Sequence, residues 1–213
     1  MVSIPSPSPS PATSTIPVRV RRNATADPGL IGLLGFVLAT VTAQLAHLGV
    51  QEESPVFWVG AVFGGIVQVT AGMLSYFDRD DFHFVVYNAF GWYWIVVPGF
   101  LLSEQLGVDV SDVATGFFVA AFAVVALMFV PAAAVHNSVL PVTLISVSVG
   151  LGLQSVSYLA VIPVLETVGA AVLLLAASLA AYMLIEKFYW RTMGRRILPL
   201  GPPWIPMGAD PES

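Results

Sequence analysis

The chain contains no cysteine. Disulfides and thiolate metal sites are therefore excluded, although the compartment stays open on that ground. Charge is also scarce: only 10% of the 213 residues are Asp, Glu, Lys or Arg, against 57% hydrophobic residues. A soluble domain usually carries about 25% charged residues. With a mean hydropathy of +0.85, too little charge remains to clothe a water-facing surface, and the class is an integral membrane protein. No nucleophile–base pair, metal-ligand spacing or phosphate-binding loop occurs, which argues against an enzyme. No cofactor, metal or nucleic-acid partner is expected.

What is there is a row of long apolar runs. Residues 1–25 are rich in Ser and Pro and end in the basic cluster Arg19, Arg21 and Arg22. They have almost nothing to bury and are expected to form a disordered tail. Six stretches follow, each near the length of about 20 residues that spans a bilayer: Leu30–Leu48, Pro55–Tyr76, Phe82–Leu102, Val113–Val135, Val142–Ile162 and Thr167–Tyr189. The joins are short and turn-like, so residues 26–201 form one all-α membrane domain with six transmembrane helices. Residues 202–213 are expected to be a short C-terminal tail.

The eight Lys and Arg residues all fall in the N-terminal tail, the second connection or the C-terminal region. With six spans these lie on one side. Glu52, Glu53, Glu104, Asp109, Asp112 and Glu166 lie on the other. That asymmetry predicts both termini in the cytoplasm of a multi-pass cell-membrane protein.

Within the spans the expected polar groups are neutral, with acidic residues confined to the ends. A carboxylate relay is therefore not expected. Ser and Thr in membrane helices commonly bond back to the backbone, and amides commonly bridge helices. Gln44, Gln68 and Asn88 stand in three consecutive spans, where structural bridging and convergence on one polar site are both open. His47, His83 and His136 lie near span ends as interfacial side chains. Gly60, Gly64, Gly65 and Gly72, and Ala177 with Ala181, are spaced for close helix approach, within a protomer or between protomers.

The third span carries the sharpest local signal, "YNAFGWYWIVVP" from Tyr87 to Pro98. Successive helical residues turn by about 100°, so Trp92, Tyr93 and Trp94 cannot share a face. Phe90 with Trp94 makes one stripe, and Asn88 with Gly91 and Ile95 makes another. One stripe lines an internal path while the other serves contact between helices.

Four segments in order resemble the acetate uptake transporters, or succinate–acetate permeases: "ADPGLIGLLGF" from Ala26, "FGGIVQVTAGMLSY" from Phe63, "NAFGWYW" from Asn88 and "MGRRILPLG" from Met193. The resemblance runs from about Ala26 to Gly201. It implies a homo-hexamer of six-helix protomers, each with its own narrow pore, moving acetate and related small carboxylates with protons. It maps a pore constriction onto Phe36, Phe90 and Ser146, the last in a register that could shift by one to Ile145. Phe90 stands where the family has tyrosine, Asp27 where it has asparagine, Gly29 and Leu30 where it has alanine and proline, and Ser75 where it has glutamate. A substrate site is expected around Asp27, Gly32, Gln44, Gln68 and Asn88, with helix-terminal amides drawing in the anion. The alternatives are an uncoupled channel for small anions or neutral solutes, and a membrane sensor that keeps the fold without transport.

Overall fold

The computed structural model describes residues 26–206. The expected tail of residues 1–25 and residues 207–213 of the expected C-terminal tail lie outside the described residues. Among the described residues six helices are long and apolar enough to cross a membrane: α1 Pro28–His47, α2 Ser54–Phe77, α3 Asp81–Gln105, α4 Asp112–Ala133, α5 Val139–Ala160 and α6 Pro163–Met193. All six expected spans are present. The last is longer than expected at both ends, because Pro163 starts it and Gly194 stops it.

Local chemistry sets these boundaries. Asp27 caps α1 by accepting from the Gly29 amide at 2.8 Å, with Pro28 at the first helical position. Asp80 caps α3 through the His83 amide at 3.0 Å, and Ser111 caps α4 through the Ala114 amide at 3.2 Å. Asn137 Oδ1 accepts from the amides of both Val139 and Leu140 at 2.9 Å to open α5. Such caps satisfy amides that the first turn leaves free, each contributing about 1 kcal/mol. Gly194 ends α6 at φ 72°, a left-handed turn suited to glycine.

Neighbours in sequence pack as antiparallel pairs, and α1 closes the bundle against α6. The exception is α3 with α4, whose backbones touch only lightly. Aromatic side chains fill that space. Tyr93 stacks on Phe118 with centroids 5.4 Å apart and planes 9° apart, while Phe122 sits 6.4 Å from Phe90 and 4.9 Å from Tyr93. On its other side α3 lies against α2. There a Cβ on Gly64 would fall 2.4 Å from Trp94 Cγ, and a Cβ on Gly72 would fall 2.3 Å from the Asn88 side-chain nitrogen. The α2 glycines thus serve close approach inside the protomer. The segment Gly60–Val67 of α2 is π-helical. Such bulges distort the helix locally and often accompany functional sites.

After Gly194 the chain turns back across one end of the bundle as a strap. Tyr182 Oη donates to the Pro199 carbonyl at 2.8 Å, and the Ser138 amide donates to the Leu200 carbonyl at 3.1 Å. Ser138 Oγ donates to the Pro202 carbonyl at 2.6 Å, and the Trp204 amide donates to the Ala134 carbonyl at 2.8 Å. The strap is pinned to the α4–α5 connection well past Gly201. Large apolar side chains, among them Trp58, Phe117, Met128 and Leu175, are exposed on the bundle's outer surface. That is expected where lipid replaces water.

Candidate functional site: two chambers and a neck

Two chambers open from opposite ends of the bundle. The basic-end chamber has a volume of about 260 Å³ and receives Phe36 of α1, Gln68 of α2, His83, Tyr87 and Phe90 of α3, Val147 of α5, Glu186 and Lys187 of α6, and Arg196 and Leu200 of the strap. The acidic-end chamber has a volume of about 250 Å³ and is bordered by His47, Glu53, Glu104 and Asp112, with Gln44, Gln154 and Tyr93 deeper in. Between them lies a constriction of only about 20 Å³. Phe36, Phe90 and Val147 line both the constriction and the basic-end chamber, and Gln44, Tyr93 and Trp94 line both the constriction and the acidic-end chamber. The three spaces therefore stand in series along the bundle.

The predicted residues fall in different places along this series. Phe36 and Phe90 line the narrow segment. Ser146 lies off it: its hydroxyl donates to the Val142 carbonyl at 2.9 Å, and α5 presents Val147 and Leu151 to the constriction instead. Gln44 accepts from Gln154 Nε2 at 2.7 Å, bridging α1 to α5. Gln68 is buried on the wall of the basic-end chamber. Asn88 turns away from both chambers, donating to the Phe84 carbonyl at 2.8 Å and meeting Gly72 of α2. The Phe90–Trp94 stripe of α3 faces the constriction, and the Asn88–Gly91–Ile95 stripe contacts α2.

Asp27 and Gly32 sit at the basic end of α1, outside the chamber lining. Asp27 holds its own helix cap and pairs with Lys187 Nζ at 3.0 Å, which offsets its charge. Gly32 faces the Tyr87 ring, and Tyr87 Oη donates to the Gly29 carbonyl at 3.1 Å. Asp27 and Gln44 are about 25 Å apart along α1 at about 1.5 Å per residue. The five expected binding residues therefore cannot converge on one small solute.

Most hydroxyls in the spans bond to carbonyls of their own helix, as Thr42, Thr70, Ser75 and Thr143 do. Ser148 and Ser155 instead bridge α5 to carbonyls of α4 at 2.8 Å. At the acidic end His47 Nδ1 lies 2.6 Å from Glu166 Oε1, linking the end of α1 to the start of α6. At the basic end His83 Nδ1 lies 2.7 Å from Asp80 Oδ2. Burial alone would push the Asp80 carboxyl up, but the amide and imidazole of His83, helped by His136, outweigh it and hold the carboxyl below its usual range. Among the described residues no group of three or more side chains could hold a metal ion.

Glu186 stands near the end of α6, where acidic residues are expected, but it is buried there. Its residue is 4% exposed and it lines the basic-end chamber. The helical run around it gave no sign of this, because burial comes from distant segments and the strap. Three buried side-chain atoms among the described residues lack a hydrogen-bond partner: Thr40 Oγ1, Gln68 Oε1 and Glu186 Oε1. Thr40 lines the constriction, and Gln68 and Glu186 line the basic-end chamber. Buried polar atoms are almost always paired, so their collection along one path is the chemical signature of the site.

Six membrane-length helices around a row of cavities define a multi-pass membrane protein with a candidate solute path inside a single chain. The family follows from comparison: the profile of the GPR1/FUN34/yaaH family matches residues 11–197, and the chain belongs to that family. It is 24% identical over 179 residues to the succinate-acetate/proton symporter SatP of Escherichia coli (strain K12), covering 83% of this chain and 95% of that protein. A 30% identical stretch of 90 residues, 39% of this chain and 44% of the relative, is shared with an uncharacterized protein of Methanothermobacter thermautotrophicus. The structure of the bacterial acetate channel SatP matches with a TM-score of 0.80 and 23% identity, over 84% of this chain and 100% of that one. The fold is thus the same.

Proposed function

We propose that this protein carries acetate and related small monocarboxylates, together with a proton, through the path between its two chambers. The observation that carries the reading is the pair of unpartnered acceptors Gln68 Oε1 and Glu186 Oε1 in the basic-end chamber. A neutral carboxylic acid brings the O–H donor they lack, whereas a bare carboxylate brings only further acceptors. Two other features support the same form of the solute. Glu53, Glu104 and Asp112 line the acidic-end chamber, and their field repels anions while drawing protons. The constriction is walled mainly by Phe36, Phe90, Trp94, Val147 and Leu151, and an apolar neck penalises a naked charge. Phe36 and Phe90 act as the aromatic narrowing. The basic end faces the cytoplasm by the positive-inside rule. The assembly is a homo-hexamer with one path per protomer, as in the family the sequence resembles.

The test is uptake of radiolabelled acetate into proteoliposomes, with and without an inward proton gradient, against empty liposomes. Protein-dependent accumulation above equilibrium is the expected result. Uptake that only equilibrates favours an uncoupled channel, a second reading supported by the serial arrangement of the cavities. No protein-dependent flux overturns acetate as the solute.

A further inference from the structure

We propose that Glu186 is the proton acceptor of the basic-end chamber, taking the proton from a neutral carboxylic acid that has passed the Phe36–Phe90 neck. This rests on the transport reading above and names the group that handles its proton. Glu186 shares the chamber-facing side of α6 with Met183, Lys187 and Trp190. It is buried, and its Oε1 has no hydrogen-bond partner. The nearest paired cation is Arg196, whose Nε lies 3.9 Å away, an ion pair longer than a hydrogen bond. Arg196 is itself drawn aside, with its guanidinium 5.7 Å from the Trp190 ring centre.

The other charged and titratable groups facing this chamber are engaged elsewhere or differ in kind. On α6, Lys187 is paired with Asp27 of α1 at 3.0 Å. On α3, His83 is hydrogen-bonded to Asp80, and the Tyr87 hydroxyl donates a hydrogen bond to the Gly29 carbonyl. His136, from the α4–α5 connection, lies with its ring 4.9 Å from Phe82 and 6.0 Å from His83. From α2 comes the neutral Gln68, and from α5 come Thr143 and apolar side chains. Glu186 is therefore the carboxylate of the chamber lining whose oxygen is open to the solute. A carboxylate that served only to hold the fold would spend both oxygens on partners, because burying an unpaired one is costly.

The step balances without a further reagent. The acid's O–H bond breaks, an O–H bond forms on Glu186 Oε1, and the solute remains as a carboxylate in a chamber that also holds Lys187 and Arg196. The Glu186 proton then passes to water at the basic mouth, which restores the carboxylate. Neutral acid crosses the neck, and separated anion and proton leave.

Two measurements test this. In proteoliposomes, Glu186→Gln should lower proton-gradient-driven acetate uptake by about 10²-fold, the scale of removing a positioned acid–base group, while acetate exchange at equal pH falls far less. Glu186→Asp should recover much of the driven uptake. Driven uptake that survives Glu186→Gln overturns the proposal, as does equal loss of driven uptake and exchange. The second measurement needs no transport: infrared difference spectra of the purified protein on acidification. A carboxyl C=O band that shifts in Glu186→Asp and vanishes in Glu186→Gln supports the assignment, and spectra unaltered in Glu186→Asp overturn it. The Asp variant alone decides this if the Gln variant does not fold. A Glu186 band in a protein that moves no acetate would leave the proton site standing and remove the transport reading instead.

Discussion

Gln154 Nε2 donates to Gln44 Oε1 at 2.7 Å, joining α5 to α1 through two buried amides where the acidic-end chamber meets the neck. Gln154→Leu strands the Gln44 carbonyl oxygen in an apolar setting. We expect a loss of about 1–2 kcal/mol, within the range for interhelical hydrogen bonds in membranes. The double variant Gln44→Leu/Gln154→Leu should recover part of that loss, because neither partner is then left unpaired. Unfolding in detergent, followed by circular dichroism, measures both.

Phe90→Ala opens the neck on the α3 side. Larger acids such as propionate or lactate should gain uptake relative to acetate. The stability cost should stay below the roughly 3–5 kcal/mol of a fully packed phenylalanine, since one side of the ring faces the path. Competition uptake with a series of acids checks this, and unchanged selectivity would count against Phe90 as part of the narrowing.

Gly64→Ala places a methyl 2.4 Å from Trp94 Cγ and 2.7 Å from the Ala39 Cβ. Neither neighbour can move without disturbing α1 or the neck. Overpacking of this kind costs about 1–3 kcal/mol, and Trp94 should be displaced. The expected outcome is reduced acetate flux with a shifted tryptophan emission maximum.

Asp80→Ala should destabilise the protein by about 1 kcal/mol at neutral pH through loss of the α3 cap. The Asp80 carboxyl is held below its usual value of 3.8 in the folded state. Its charged form therefore contributes stability above that value, and the contribution is lost as pH falls through the lower folded value. The gap in melting temperature between wild type and Asp80→Ala should shrink below about pH 4, the ordinary carboxylate range. A gap that widens on acidification would contradict the sign.

The six spans were legible in the sequence because bilayer length and charge asymmetry are properties of composition. The two stripes of α3 were legible because helical spacing separates Phe90 and Trp94 from Asn88, Gly91 and Ile95. The assignment of Asn88 to the solute site followed its polarity and missed its stripe. Ser146 was placed by resemblance, and one residue of slip turns a helix by about 100°. That is enough to move a side chain off the wall, where Val147 stands. Glu186 was invisible for a different reason. Near the end of a span a glutamate is expected to reach for water, and here it is buried on the wall of a chamber it shares with α1, α3 and the strap.

The basic-end chamber draws its wall from Leu33 at one extreme and Leu200 at the other. Its formation therefore has an order in time. While the helices enter the bilayer one after another, α1 stands beside α2 with the Asp27 carboxylate awaiting a cation that lies more than one hundred residues downstream. Only when α6 is in place can Lys187 reach it, and only when the strap settles on Ser138 does the mouth take its shape. An insertion halted after the fourth span would lack the walls that α5, α6 and the strap give the basic-end chamber, so that end of the path is completed last.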